Sequence, residues 1–160
     1  MTSNMWNLSL GDDALGNLTP PDEIVAIQCK YLENITEGNI LARISQYRNQ
    51  HTHDIVDDGF MFEFFLTSKY APNYKYTVMF IKHSIDYYPL TIQLDSDIAD
   101  EICTGGQFSN PNLTVNDENE FIHALSKIIN SAKMRKVINS LYSMVKSHER
   151  KNDAFFGKEE

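Results

Sequence analysis

The stretch Phe60-Met61-Phe62-Glu63-Phe64-Phe65-Leu66-Thr67-Ser68 decides the fold class, together with Tyr76-Thr77-Val78-Met79-Phe80-Ile81 and Leu90-Thr91-Ile92-Gln93-Leu94 downstream. Phe60, Phe62, Phe64 and Leu66 recur at every second position. That is the period of a strand with one face buried and the other not. Ala71-Pro72-Asn73-Tyr74 and Asp86-Tyr87-Tyr88-Pro89 carry turn chemistry between the runs, since proline presets φ and asparagine tolerates left-handed geometry. Links this short favour antiparallel neighbours. Upstream, Ile40, Ala42 and Ile44 alternate in the same way and predict a first strand to about Arg48, so the sheet is expected to be a four-stranded meander.

Helical patterns flank the strands. Thr19-Pro20-Pro21-Asp22-Glu23 is a helix start, with a hydroxyl cap, proline in the first turn and acids at the positive end. Ile24, Ile27, Tyr31 and Ile35 then recur at helical spacing, which predicts a helix over about 21–34 ended by Gly38-Asn39. Asp95 to Cys103 reads as a short helix capped by Asp95 or Ser96, and 104–116 reads as a loop.

From Asp117 to Lys146 the apolar residues fall into two stripes. At 100° per residue, Phe121, Leu125, Ile128 and Ile129 share one side, while Met134, Val137, Ile138, Leu141 and Val145 share roughly the opposite one. The phase jumps at Asn130-Ser131, which predicts two consecutive helices with Ser131 capping the second. A single straight helix would instead turn its second stripe towards another subunit. The expected fold is therefore α+β: N-terminal helix, four-stranded antiparallel meander, short helix, and two C-terminal helices packed on the sheet. The expected organisation is an N-terminal arm over 1–19, one domain over 20–147 and a charged tail over 148–160.

Composition narrows the function. The chain has 160 residues, 42% hydrophobic and 22% charged, with a formal net charge of −8. Phosphate binding needs a basic footprint, and the only basic runs, Lys133-Met134-Arg135-Lys136 and Arg150-Lys151, are short. Direct nucleic-acid binding is not expected; a basic or nucleic-acid-binding protein fits the charge better. The opening Met1-Thr2-Ser3-Asn4-Met5-Trp6 lacks the pattern of a secretory leader, and no apolar run reaches membrane-spanning length. A cytoplasmic protein with Cys29 and Cys103 as free thiols is the expectation.

Chemistry is sparsely marked. His51-Thr52-His53-Asp54 is the best constellation: histidines two apart on an extended segment face one way and could share a metal with Asp54. A solvated polar loop explains the run more simply, so no metal and no cofactor is expected. His83 reads as a structural histidine and Glu63 as an outward-facing surface residue. The thiols lie among acidic or apolar neighbours, a poor setting for a nucleophile. No phosphate-cradling glycine loop or nucleophile elbow is present, and the chain is expected not to be an enzyme.

Strict alternation puts Phe65, Met79 and Ile81 on the second sheet face, with Tyr87 and Tyr88 at its edge, and these five are the predicted partner-binding residues. The layout resembles that of type III secretion chaperones and of toxin-immunity proteins in size, charge and element order. The function expected is a small acidic protein-binding module of bacterial or phage origin, most concretely an inhibitor or immunity-type protein. A chaperone-like homodimer is the alternative, and a small metal-dependent hydrolase using His51 and His53 is the least favoured.

Overall fold

The computed structural model describes residues 3–8, 18–47, 59–103 and 111–156. Helix α1 (Pro21–Ile35) leads into β1 (Ile40–Gln46), β2 (Phe60–Ser68), β3 (Tyr76–His83) and β4 (Leu90–Leu94). Then follow α2 (Ser96–Ile102), β5 (Asn112–Val115), α3 (Glu118–Ile129) and α4 (Ala132–Phe156). The sheet is antiparallel throughout in the order β1-β2-β3-β4-β5. It has a fifth strand where the sequence suggested only loop. Leu113 pairs with Ile92 and Val115 with Leu90, so β5 closes the far edge of the core. Helix α4 runs through Phe156, nine residues past Ser147, where the domain was expected to end.

The core lies between one sheet face and the helices. Cross-strand rows Ile44–Phe64–Met79–Leu94 and Phe62–Ile81–Ile92–Leu113 define that face. The register slips between Phe64 and Phe65, because Met79 pairs with Phe64 and Thr77 with Phe65, leaving Val78 as an extra residue. A bulge of this kind lets successive side chains turn the same way. Val78 and Met79 are both buried in the core as a result. Phe80, which strict alternation grouped with Val78, is carried to the other face.

Helix α1 ends in a left-handed turn at Glu37 (φ 54°) and Gly38 (φ 77°), where the Gly38 N–H reaches back to the Glu33 carbonyl at 2.8 Å. Lys69 N–H to Asn39 O (3.0 Å) and Tyr47 N–H to Met61 O (2.7 Å) fix which residues of β1 bond to β2. By that parity Ile40, Ala42, Ile44 and Gln46 direct their backbone groups to the open edge. Two of these are capped: Ile40 N–H donates to the Thr36 hydroxyl (3.2 Å), and Arg43 Nη1 donates to the Ala42 carbonyl (2.9 Å). Glu33 on α1 holds the same guanidinium.

The break between α3 and α4 sits at Asn130-Ser131, where the phase of the two stripes jumps. Ser131 Oγ accepts from Met134 N–H at 3.2 Å, a helix N-cap, and the Glu101 carboxylate of α2 accepts from Ala132 N–H at 2.9 Å. The break lets Phe121, Leu125 and Ile128 enter the same core as Met134, Leu141 and Val145. Met134, Leu141 and Val145 of that second stripe are buried inside the same domain, while Val137 and Ile138 stay half-buried.

Candidate functional site

The five residues predicted to bind a partner do not form one surface. Met79 and Ile81 are 1% and 0% exposed, because the bulge at Val78 turns them inward. Tyr88 is half-buried against Phe121, ring centroids 6.5 Å apart, with its hydroxyl unpartnered among the described residues. Burial pushes its pKa up to about 12, helped by Glu118 and Asp117. Tyr87 adopts φ 69° and sets its ring edge-on to His83 at 5.7 Å. Phe65 alone stays on the outer face, beneath the Lys75 ammonium at 5.3 Å. His51, His53 and Asp54 lie outside the described residues.

His83 is buried, and its Nε2 has no hydrogen-bond partner among the described residues. Its ring packs among Phe60, Phe62 and Tyr87, and Nδ1–H donates to the Ser84 carbonyl at 2.7 Å. Glu63 departs from expectation. It does point away from the helices, yet it is only 5% exposed. Lys75 Nζ stands 2.9 Å from its carboxylate and the Thr77 hydroxyl donates to the same oxygen at 2.7 Å, while Phe80 flanks it across the strand pair. Cys29 is buried in α1 and burial pushes its thiol up to about 11, so it is protonated and unreactive at neutral pH. Among the described residues no three His, Cys, Asp or Glu side chains stand close enough to share a cation, and no helix is long and apolar enough to cross a membrane.

What the structure assembles instead is a groove between α1 and α4. It encloses about 280 Å³ and its floor is Ala42 of β1 and Phe64 of β2. Leu32 and Ile35 of α1 form one wall, Met134 and Ile138 of α4 the other. Gln28, Asn130, Arg135 and Asn139 supply a polar rim. The floor is apolar and the rim polar, and the volume suits one large side chain better than a whole cofactor.

The groove exists because α1 is apolar on more than its core side. Ile24, Val25 and Cys29 face the sheet, whereas Ile27, Tyr31 and Ile35 form a second ridge at i, i+4, i+8 beside the groove. Tyr31 and Ile35 remain 59% and 78% exposed. In sequence Ile24, Ile27, Tyr31 and Ile35 look like one core stripe; only their packing partners separate them. No protein-family model, curated protein sequence or solved structure matches this chain.

Proposed function

We propose that this protein is a non-catalytic protein-binding module whose partner seats a large apolar side chain in the groove between α1 and α4. One observation carries the reading: a groove floored by the core residues Ala42 and Phe64 opens to solvent beside the exposed Tyr31 and Ile35. Aromatic and aliphatic anchors in such pockets supply most of the binding energy in protein interfaces. The formal net charge of −8 favours a basic partner, because complementary fields raise the encounter rate. Inhibitor or immunity activity towards a basic, nucleic-acid-acting protein, in a bacterial or phage cytoplasm, is the most concrete form of this proposal.

The test uses side chains that folding does not need. Tyr31→Glu and Ile35→Glu replace exposed residues and are expected to melt within about 1–2 °C of wild type, as surface substitutions do. Partners co-purified from the native host with the wild-type chain are identified by mass spectrometry, purified and titrated calorimetrically. Each variant is expected to lose at least about tenfold in affinity. Undiminished affinity in both variants would remove the groove from consideration.

A further inference from the structure

Helix α4 is charged unlike the chain it belongs to. Six of the chain's 14 Lys and Arg residues lie in it, against two acids, while the whole chain carries a formal −8. The charges are also sorted around the helix. At 100° per residue Lys133, Lys136, Ser140, Met144, Ser147 and Lys151 fall in one narrow stripe, whereas Glu149 and Asp153 stand on roughly the opposite side. Lys133 is committed to Asp97 at 2.7 Å. Neither Lys136 nor Lys151 forms an ion pair among the described residues.

The stripe borders a trough. The β2–β3 turn runs alongside it and leaves two hollows of about 280 and 340 Å³ that meet at Met144. Ala71, Tyr74, Val137 and Leu141 give the first an apolar lining beside Lys136. Tyr70, its ring 4.0 Å from that of His148, walls the second beside Lys151. Met144 and both tyrosines remain exposed. From Lys133 to Lys151 the stripe is about 27 Å long, the span of about eight residues of extended chain. Apolar hollows with an unpaired ammonium group beside each suit a chain that carries an apolar side chain between carboxylates. A bilayer or a long nucleic acid would reach past the stripe into the field of an otherwise acidic body, which repels both. We propose that this face of α4 docks a short acidic segment of a partner protein, which seats an apolar side chain beside Met144 and sets Asp or Glu carboxylates against Lys136 and Lys151. This surface lies on a different side of α4 from the groove shared with α1, and it takes a partner of the opposite charge.

Titration of the full chain with two synthetic peptides tests this. One is about ten residues of Asp and Glu around a central Leu, long enough to span the stripe, and the other has Gly in place of that Leu. The Leu peptide is expected to bind about fivefold or more tightly than the Gly peptide, since only it fills a hollow. Its affinity is expected to fall as salt is added. Lys136→Glu and Lys151→Glu are each expected to weaken it by about threefold or more, and Lys30→Glu, the same change of charge on α1, by less than about twofold. All three lysines are exposed, so the variants keep the fold. Failure of the Leu peptide to saturate, equal affinity for the two peptides, or equal losses in Lys30→Glu and Lys136→Glu would overturn the proposal. So would tighter binding to a single-stranded oligonucleotide of the same charge, or to vesicles of phosphatidylglycerol and phosphatidylcholine. Sedimentation showing that Lys136→Glu dissolves a wild-type dimer would overturn it too, by making a second copy the occupant.

Discussion

Phe62 and Phe64 sit two residues apart on β2 and face the same layer, but they have different neighbours. Phe64 is 2% exposed beneath the helices and floors the groove; Phe62 is half-buried and stacks on His83 at 5.7 Å. Phe64→Ala is expected to cost about 3–5 kcal/mol in urea denaturation, the range for emptying a packed aromatic site. Phe62→Ala should cost less than half of that, and equal losses would mean that the rim of the sheet is as tightly packed as its centre. The alternation of Phe60 to Leu66 made this face legible in advance. Met79 and Ile81 were not legible, because the bulge at Val78 is a matter of pairing with β2 and leaves no mark in residue type. Glu63 was misread for a similar reason: its cover comes from Lys75, just before β3, and from Thr77 on it.

At the level of elements, the α3–α4 break could be read directly, since two apolar stripes out of phase cannot both be buried along one straight helix. Ser131, a small polar residue at the phase jump, marked the spot and does cap α4. Strand β5 escaped notice because Asn112-Leu113-Thr114-Val115 offers only two apolar residues, too few for a period to show. Its status as a strand depends on β4 rather than on itself. The burial of Leu141 on α4, at 5% exposure, supplies a sharp test of the helix packing. Leu141→Glu places an unpaired carboxylate in the core and is expected to abolish cooperative thermal unfolding followed by circular dichroism. A folded Leu141→Glu chain would show that the C-terminal half of α4 packs loosely enough to swing away.

For the molecule as a whole, alkali should be more damaging than the composition suggests. Burial raises Cys29 to about 11 and Tyr88 to about 12, and it raises Tyr76 as well, whose hydroxyl also donates to the Asp95 carboxylate that caps α2. Each group is held neutral in the folded chain and ionises earlier in the unfolded one. Below the unfolded value near 8.5–10 both states keep their protons and stability is undiminished. Above it the unfolded chain alone releases protons, so stability falls with rising pH until the folded values are passed. The melting temperature is expected to decline from about pH 9 to pH 11, and Cys29→Ala should flatten the first part of that decline. A Cys29→Ala profile superimposable on wild type would mean that the thiol is solvated in the folded chain. The fold was open to reading at this scale, and the groove was not. Which of the two α1 ridges meets the sheet is decided by how α1 packs on β1 and α3, long-range contacts that no local pattern encodes.

The capped edge of β1 has a consequence for life at high concentration. An exposed apolar groove invites promiscuous association, and a free sheet edge beside it would let that association grow strand upon strand into fibres. Thr36 occupies the Ile40 amide and Arg43 the Ala42 carbonyl, so an incoming strand finds the start of the template already taken. The opposite edge is only the four residues of β5, with Asn112 and Thr114 exposed. If the groove takes a partner as proposed, the partial capping of this edge works against that contact growing strand upon strand.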